Sequence, residues 1–198
     1  MMQIVIVDDH AAVRAGVAAL LEAEPDMSVA ATVASGGLAE LECRRREAAV
    51  LVADYHLPDI DGLSLCLRLG AAGPPVVLYS AFADDSLSVL AVIAGAQAVV
   101  SKSADPAELV AAVREAALGD RGLGSLHPAA LRAAGAQLGT EDLPVLGMLT
   151  AGVAEDEIAR TLGVDADWLT ARRWAMLERL RAGAPRRPGM GARLPLDA

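Results

Sequence analysis

Five short apolar runs rich in β-branched residues recur through the first 118 residues: Ile4–Val7, Val29–Val33, Val50–Ala53, Val76–Tyr79 and Ala98–Val100. Between them lie longer stretches with apolar positions at helical spacing, such as Val13, Val17, Leu20 and Leu21, and later Leu109, Val110 and Val113. Runs this short and this uniformly apolar suit strands buried on both faces, and the intervening period of 3.6 suits helices that cover them. Five strand–helix units in series predict an α/β fold: a five-stranded, doubly wound parallel sheet over residues 1–118, with helices on both faces. Right-handed crossovers leave few strand orders open.

The rest of the chain follows another pattern. Residues 1–118 carry 16 acidic and 7 basic side chains and residues 138–198 carry 9 and 8, so the net charge of −9 belongs to the first segment. Gly119-Asp120-Arg121-Gly122-Leu123-Gly124 cannot sustain a helix and opens a linker assigned to 119–137. From 138 the periodicity is wholly helical, in runs near Glu141–Ala151, Glu155–Leu162 and Asp165–Arg181 parted by Gly152 and Gly163. This predicts a second, smaller all-α domain over 138–182 that includes a helix-turn-helix. Residues 183–198, with Pro185, Pro188, Pro195, Gly189 and Gly191, are expected to be a disordered tail.

Several classes are excluded. Mean hydropathy is +0.39, but the longest uncharged apolar run, Leu87–Val100, is broken by Gly95 and Gln97 and falls short of the roughly 18 residues a membrane span needs. Met1-Met2-Gln3-Ile4 lacks the basic region of a signal peptide, and Cys43 and Cys66 show no metal-ligand spacing, so a reduced cytoplasmic protein is expected. No G-x-G-x-x-G or P-loop follows the first strand, which argues against a nucleotide or flavin site.

Polar residues fall at the ends of the strands, where open parallel sheets form their sites. Asp8 and Asp9 follow the first strand, Asp54 the third, Ser80 ends the fourth and Lys102 lies just beyond the fifth. If the first and third strands are neighbours, three carboxylates meet in one cleft and require a cation; oxygen ligands with open positions favour magnesium. A lysine and a hydroxyl nearby would complete a phosphoryl site, with Asp54 as nucleophile and Asp8 and Asp9 as metal ligands.

These residues carry a resemblance. Val7-Asp8-Asp9-His10, Val13-Arg14-x-Gly16, Asp54-Tyr55-His56-Leu57-Pro58-Asp59-x-Asp61-Gly62, Ser80-Ala81, and Gly95-Ala96 leading to Lys102 resemble the flavodoxin-like receiver domain of bacterial two-component response regulators. The Asp-Asp-His and Val-Arg-x-Gly details are similar to the LuxR/FixJ-type subfamily. The resemblance implies phosphorylation of Asp54 by a sensor histidine kinase, with Mg2+ held by Asp8, Asp9, Asp54 and the backbone carbonyl of His56. It further implies that Ser80 and Lys102 contact the phosphoryl group, that Pro58 and Gly62 shape the loop after the nucleophile, and that His10 starts a helix. Val99 departs from the pattern, standing where a switch Tyr or Phe is usual.

Residues 138–181 are similar to a LuxR-type helix-turn-helix at Val145-Leu146, Gly152, Glu157-Ile158-Ala159, Leu162, Val164 and Leu180. The second helix would start after Asp165 as N-cap and present Thr170, Arg172, Arg173 and Arg179 to double-stranded promoter DNA, with Arg181 further along. Here too there are departures. Trp168 and Thr170 replace a usual Thr and Lys, Asp156 replaces a Lys, and Ala154 stands at a capping position. Arg173 falls on the Leu169, Met176, Leu180 stripe, where its stem is expected to pack while its head snorkels out. The resemblance also implies a homodimer. The competing expectation is an atypical receiver whose degenerate C-terminal domain acts by protein–protein contact or ligand response. A phosphatase is disfavoured, because His56 rather than an acid lies two residues beyond Asp54.

Overall fold

The computed structural model describes residues 1–120, 122–123 and 126–183; the proline-rich tail and part of the linker opening lie outside these residues. The five strands are β1 (Met2–Val7), β2 (Met27–Val33), β3 (Val50–Ala53), β4 (Val76–Ser80) and β5 (Ala98–Ser101), all parallel, in the order β2-β1-β3-β4-β5. The order reverses between β1 and β3, so the turns after those two strands open the crevice where such sheets place their sites.

Side chains alternate across the sheet. Ile4, Ile6, Val50, Val52 and Val77 face a core with Val17 and Leu21 of α1 (Ala11–Glu22) and Leu109, Val110 and Val113 of α5 (Pro106–Ala117). Val5, Val7, Leu51, Ala53 and Leu78 face the other way, toward α2 (Gly36–Arg46), α3 (Gly62–Leu69) and α4 (Asp85–Ala94). The doubly wound α/β expectation is met.

The segment expected as linker holds a helix, α6 (Pro128–Gly135). Pro128 lacks the N–H that the first turn would leave unpaired anyway, and the His127 ring accepts from the Ala129 N–H at 3.3 Å. The expected helices follow as α7 (Leu143–Thr150), α8 (Glu155–Leu162) and α9 (Ala166–Gly183). Gly163 ends α8 at φ 67°, a left-handed turn that a Cβ would strain, and the Asp165 carboxylate caps the start of α9 through the Trp168 N–H at 2.7 Å.

These helices close onto the sheet unit. α4 packs against α6, α7 and α9, and α9 also lies against α3 and α8. The core on the α3–α4 side therefore runs on without a break through Val145, Leu146, Ile158, Leu169, Met176, Leu177 and Leu180. Among the described residues no helix is long and apolar enough to cross a membrane.

A core shared across both halves should unfold as one. Ile93→Ala, at a fully buried position of α4, is expected to cost about 2–5 kcal/mol. In urea titrations, far-ultraviolet dichroism and the fluorescence of Trp168 and Trp174, both on α9, should fall together at the lower midpoint.

Candidate functional site

Each carboxylate of the site is delivered by a strand end. The Asp54 N–H donates to the Val7 carbonyl at 2.8 Å and the Asp8 N–H to that of Val33 at 3.2 Å, so β1–β3 and β1–β2 pairing sets both residues in the reversal crevice. Lys102 is fixed likewise, its N–H donating to the Ser80 carbonyl at 2.9 Å. Arg14 on α1 donates to the Asp8 carbonyl at 2.6 Å.

The side chains then converge. The Lys102 ammonium donates to Asp8 Oδ2 at 2.6 Å and lies 3.0 Å from Asp54 Oδ2. Asp8 is 3 % exposed and Asp54 6 %. Burial pushes the Asp54 carboxyl above the usual carboxylate range; Lys102 pulls it down, Asp8 pushes it up, and the upward direction prevails. Burial works against the Lys102 ammonium, yet its two carboxylate partners carry its proton affinity above the ordinary lysine value. Lys102 thus supplies part of the positive charge that the acidic cluster requires.

The expected ligands are not all alike. Asp9 is exposed with its carboxylate 2.6 Å from His10 Nδ1, while the His10 backbone N–H donates to Asp8 Oδ1 at 2.7 Å. Asp8, Asp9, His10 and Asp54 each offer a ligand atom, all within 4.8 Å of one another. Carboxylate oxygens buried on one side and open to solvent on the other suit a hard divalent ion that keeps several waters. His56 is exposed, its backbone N–H adds a small pull that lowers the Asp54 proton affinity, and its ring meets those of Tyr55 and Phe82 edge-on. Ser80 is buried and accepts from the Phe82 N–H at 3.1 Å, which ties the β4–α4 loop to the strand end.

The loop after Asp54 is braced at both ends. A Cβ on Gly62 would meet the Asp54 carbonyl oxygen at 2.5 Å, and the Gly62 N–H donates to the Tyr55 carbonyl at 2.8 Å; only glycine lets the loop fold back this closely. Asp59 accepts from the N–H groups of Gly36 and Gly37, each at 2.9 Å, at the start of α2. Asp61 caps α3 through the Ser64 N–H at 3.0 Å and hydroxyl at 2.7 Å. In the sequence Asp59 and Asp61 stand only as letters of the motif; nothing local reveals that one anchors α2 and the other caps α3.

The C-terminal candidates are placed differently from the expectation. Arg173 does not snorkel: it is 2 % exposed, donates through Nε to the Ile93 carbonyl at the end of α4 at 2.6 Å, and pairs with Glu155. The apolar stripe of α9 faces α4, whose terminal carbonyls offer a buried guanidinium the acceptors it needs, so this side chain is not available to DNA in this arrangement. Arg172 and Arg179 both ion-pair with the fully buried Asp142, Arg172 at 3.1 Å. Arg172 also stacks over Trp168, 4.8 Å from the ring centroid, and Thr170 is half-buried.

The raised Asp54 proton affinity carries a stability consequence. The folded state binds this proton more tightly than the unfolded chain, so stability falls as pH rises from the ordinary value of 3.8 through the raised one, and stays lowered above it. Asp54→Asn is therefore expected to raise Tm at neutral pH, with the gain shrinking below about pH 4. Mg2+ at ten times its Kd should stabilise the unsubstituted protein by about 1.4 kcal/mol and the variant far less, as thermal melts would show.

Comparison with known proteins agrees with this geometry. Residues 4–114 match the model of the response regulator receiver domain. The chain is 36 % identical over 182 residues to the transcriptional regulatory protein UhpA of Salmonella typhimurium, covering 91 % of this chain and 92 % of that one. It is 31 % identical over 173 residues to the DNA-binding transcriptional activator DevR/DosR of Mycobacterium tuberculosis, covering 80 % and 79 %. A LuxR-family two-component response regulator from Aurantimonas superposes with a TM-score of 0.57 at 32 % identity, over 60 % of this chain and 86 % of that one. With Asp54, the acidic pair and the lysine gathered at the sheet's reversal point, the chain belongs to the response regulators of two-component systems, in their LuxR/FixJ-type branch.

Proposed function

We propose that this protein accepts a phosphoryl group on Asp54 from the phosphohistidine of a sensor kinase and acts in the cytoplasm as a transcriptional regulator that binds promoter DNA. The observation that carries the reading is the Lys102 ammonium shared between Asp8 and Asp54. A nucleophilic carboxylate, its neighbouring acid and a fixed cation then sit where three strand ends meet.

In the transfer, an Asp54 carboxylate oxygen forms a bond to phosphorus as the phosphorus–nitrogen bond of the donor breaks, its electron pair returning to the imidazole nitrogen. Lys102 holds positive charge beside the oxygens that develop charge, and the Ser80 hydroxyl at the β4 end donates to them. Asp8, Asp9, Asp54 and the His56 carbonyl would hold Mg2+, which when bound neutralises phosphoryl oxygens alongside Lys102. Gly62 and the Tyr55–Asp61 loop keep the nucleophile at the rim of the cleft.

For the output, α8 and α9 form the helix pair that enters the major groove in proteins of this kind, with Thr170, Arg172 and Arg179 as candidate contacts. A homodimer would present two such pairs to a two-fold site. Protein–protein contact is the second reading. It is favoured by one observation: Arg172, Arg173 and Arg179 are all engaged by acids or carbonyls of the same chain.

Incubation with a small phosphodonor and Mg2+ should label the protein at one site, and Asp54→Asn should abolish the label. Binding to promoter fragments should weaken steeply with salt, and Arg172→Ala should reduce it at least about tenfold, the scale of a lost charge-assisted contact. A labelled protein that binds no DNA at low salt would shift the output to the second reading.

A further inference from the structure

Val13, Val17 and Leu21 lie four residues apart along α1 and pack against the sheet core with Ile4 and Ile6. That line fixes the rotation of α1 about its axis, and with it the direction of Arg14, which is half-buried. Helical side chains lean toward the helix N-terminus, so a long one in the first turn reaches back over the residues that precede the helix. Arg14 does so. Its own N–H donates to the His10 carbonyl at 3.1 Å, while its Nη1 donates to the Asp8 carbonyl at 2.6 Å.

The turn from β1 to α1 carries both acids of the pair. Beyond the Asp8 N–H on Val33, three donors hold it at Asp8: the His10 backbone N–H on Oδ1 at 2.7 Å, the Lys102 ammonium on Oδ2 at 2.6 Å, and Arg14 on the backbone carbonyl. The first two occupy oxygens of a carboxylate that is itself a candidate ligand. Of the three, only Arg14 grips the turn without drawing on a ligand oxygen. The helix supplies no brace of its own here, since the His10 cap makes no side-chain bond and the first turn holds no acid. The Asp8 carbonyl shares one rigid plane with the Asp9 nitrogen and Cα. A guanidinium on that carbonyl therefore orients the plane from which the exposed Asp9 carboxylate projects. Because the donor is charged, the bond is stronger than a neutral one.

We infer that Arg14 is a positioning residue of the metal pocket, fixing the Asp8–Asp9 peptide from α1 so that both carboxylates converge with Asp54 on one divalent ion. The inference rests on the Mg2+ role proposed above and adds a residue whose recorded bond is to the backbone behind the ligands. Two effects of the guanidinium oppose each other. As a positive charge it repels a dication, and as a clamp it holds the ligands in place, so its removal tightens Mg2+ binding by the first effect and weakens it by the second. Partners that orient metal ligands carry about 10–100-fold in affinity, whereas a partly exposed charge pair carries less than about fivefold. The clamp prevails, and the sign of the change reports it.

The test titrates the full chain with Mg2+ by calorimetry, with far-ultraviolet dichroism confirming the fold of each variant. Arg14→Ala should bind Mg2+ at least about tenfold more weakly. Arg14→Lys, which keeps a charged donor, should recover most of the loss. Arg14→Met keeps an unbranched stem but no donor; it should match Arg14→Ala, and it carries the test should Arg14→Ala fail to fold. With a small phosphodonor, the Mg2+ concentration for half-maximal labelling should rise more than the maximal rate falls. Equal or tighter Mg2+ binding in the folded Ala or Met variant overturns the inference and leaves the proposed function standing. Failure of the unsubstituted protein to bind Mg2+ at all overturns both.

Discussion

Lys102 holds together two carboxylates that would otherwise push the sheet's reversal point apart. At about 4 Å, two such charges repel by about 4 kcal/mol at an effective dielectric of 20. An ammonium touching both converts that repulsion into a compact triad. Its position follows from backbone pairing, because the Lys102 N–H is fixed on the Ser80 carbonyl and the β4–β5 register runs from Val77 opposite Ala98 to Ser80 opposite Ser101. A one-residue slip of β5 would turn its side chains to the opposite faces of the sheet. The chemistry of the site is in this sense a property of strand register, and the apolar runs that fix the register are as necessary to it as the acids.

The same dependence organises the other half of the chain. α4 has an almost continuous apolar sequence, Leu87, Val89, Leu90, Ala91, Val92, Ile93 and Ala94, and a helix apolar on all sides is stable only when it is covered all round. β3 and β4 cannot cover its outer side. α6, α7 and α9 do so, and the cover carries the buried Arg173 with it. The helical half is therefore packed into the fold of the sheet half, and its longest helix lies against both α3 and α4.

What the sequence showed and what it concealed divide along a physical line. Strand positions and the polar residues at their ends were legible, because a two-residue period and a sharp change from apolar to charged are local signals. Asp8, Asp54 and Lys102 come together as the strand order predicted. α6 was not legible: three glycines in 119–124 set the reading of the whole segment, and Pro128 reads as a breaker until it is seen to occupy the first helical turn. Arg173 shows the deeper limit. The helical stripe located it correctly on a buried face, but its partner is a backbone carbonyl 80 residues away. No periodicity on α9 reports which surface will lie opposite, so a guanidinium there reads as a stem that must escape to solvent. The Asp61–Arg181 pair, 120 residues apart, was hidden for the same reason.

The two interdomain arginines differ in burial, and that difference assigns them different parts. Breaking a buried pair by removing one partner costs about 3–5 kcal/mol, whereas a partly exposed pair is worth about 0.2–1 kcal/mol. Inverting a 1:99 equilibrium to 99:1 takes about 5.5 kcal/mol, beyond the reach of Asp61–Arg181 alone. Arg173 sets how deep the docked state lies. Arg181 is only half-buried and touches the loop after Asp54 through Asp61. Full release of α9 then requires the α4 end to move as well. α4 follows directly on the β4–α4 loop that Ser80 ties to the strand end through the Phe82 N–H, so a phosphoryl group drawing on the Ser80 hydroxyl would disturb the element that bears the Ile93 carbonyl. From Asp54 one route leads to each arginine, through the loop after β3 to Arg181 and through the loop after β4 and α4 to Arg173.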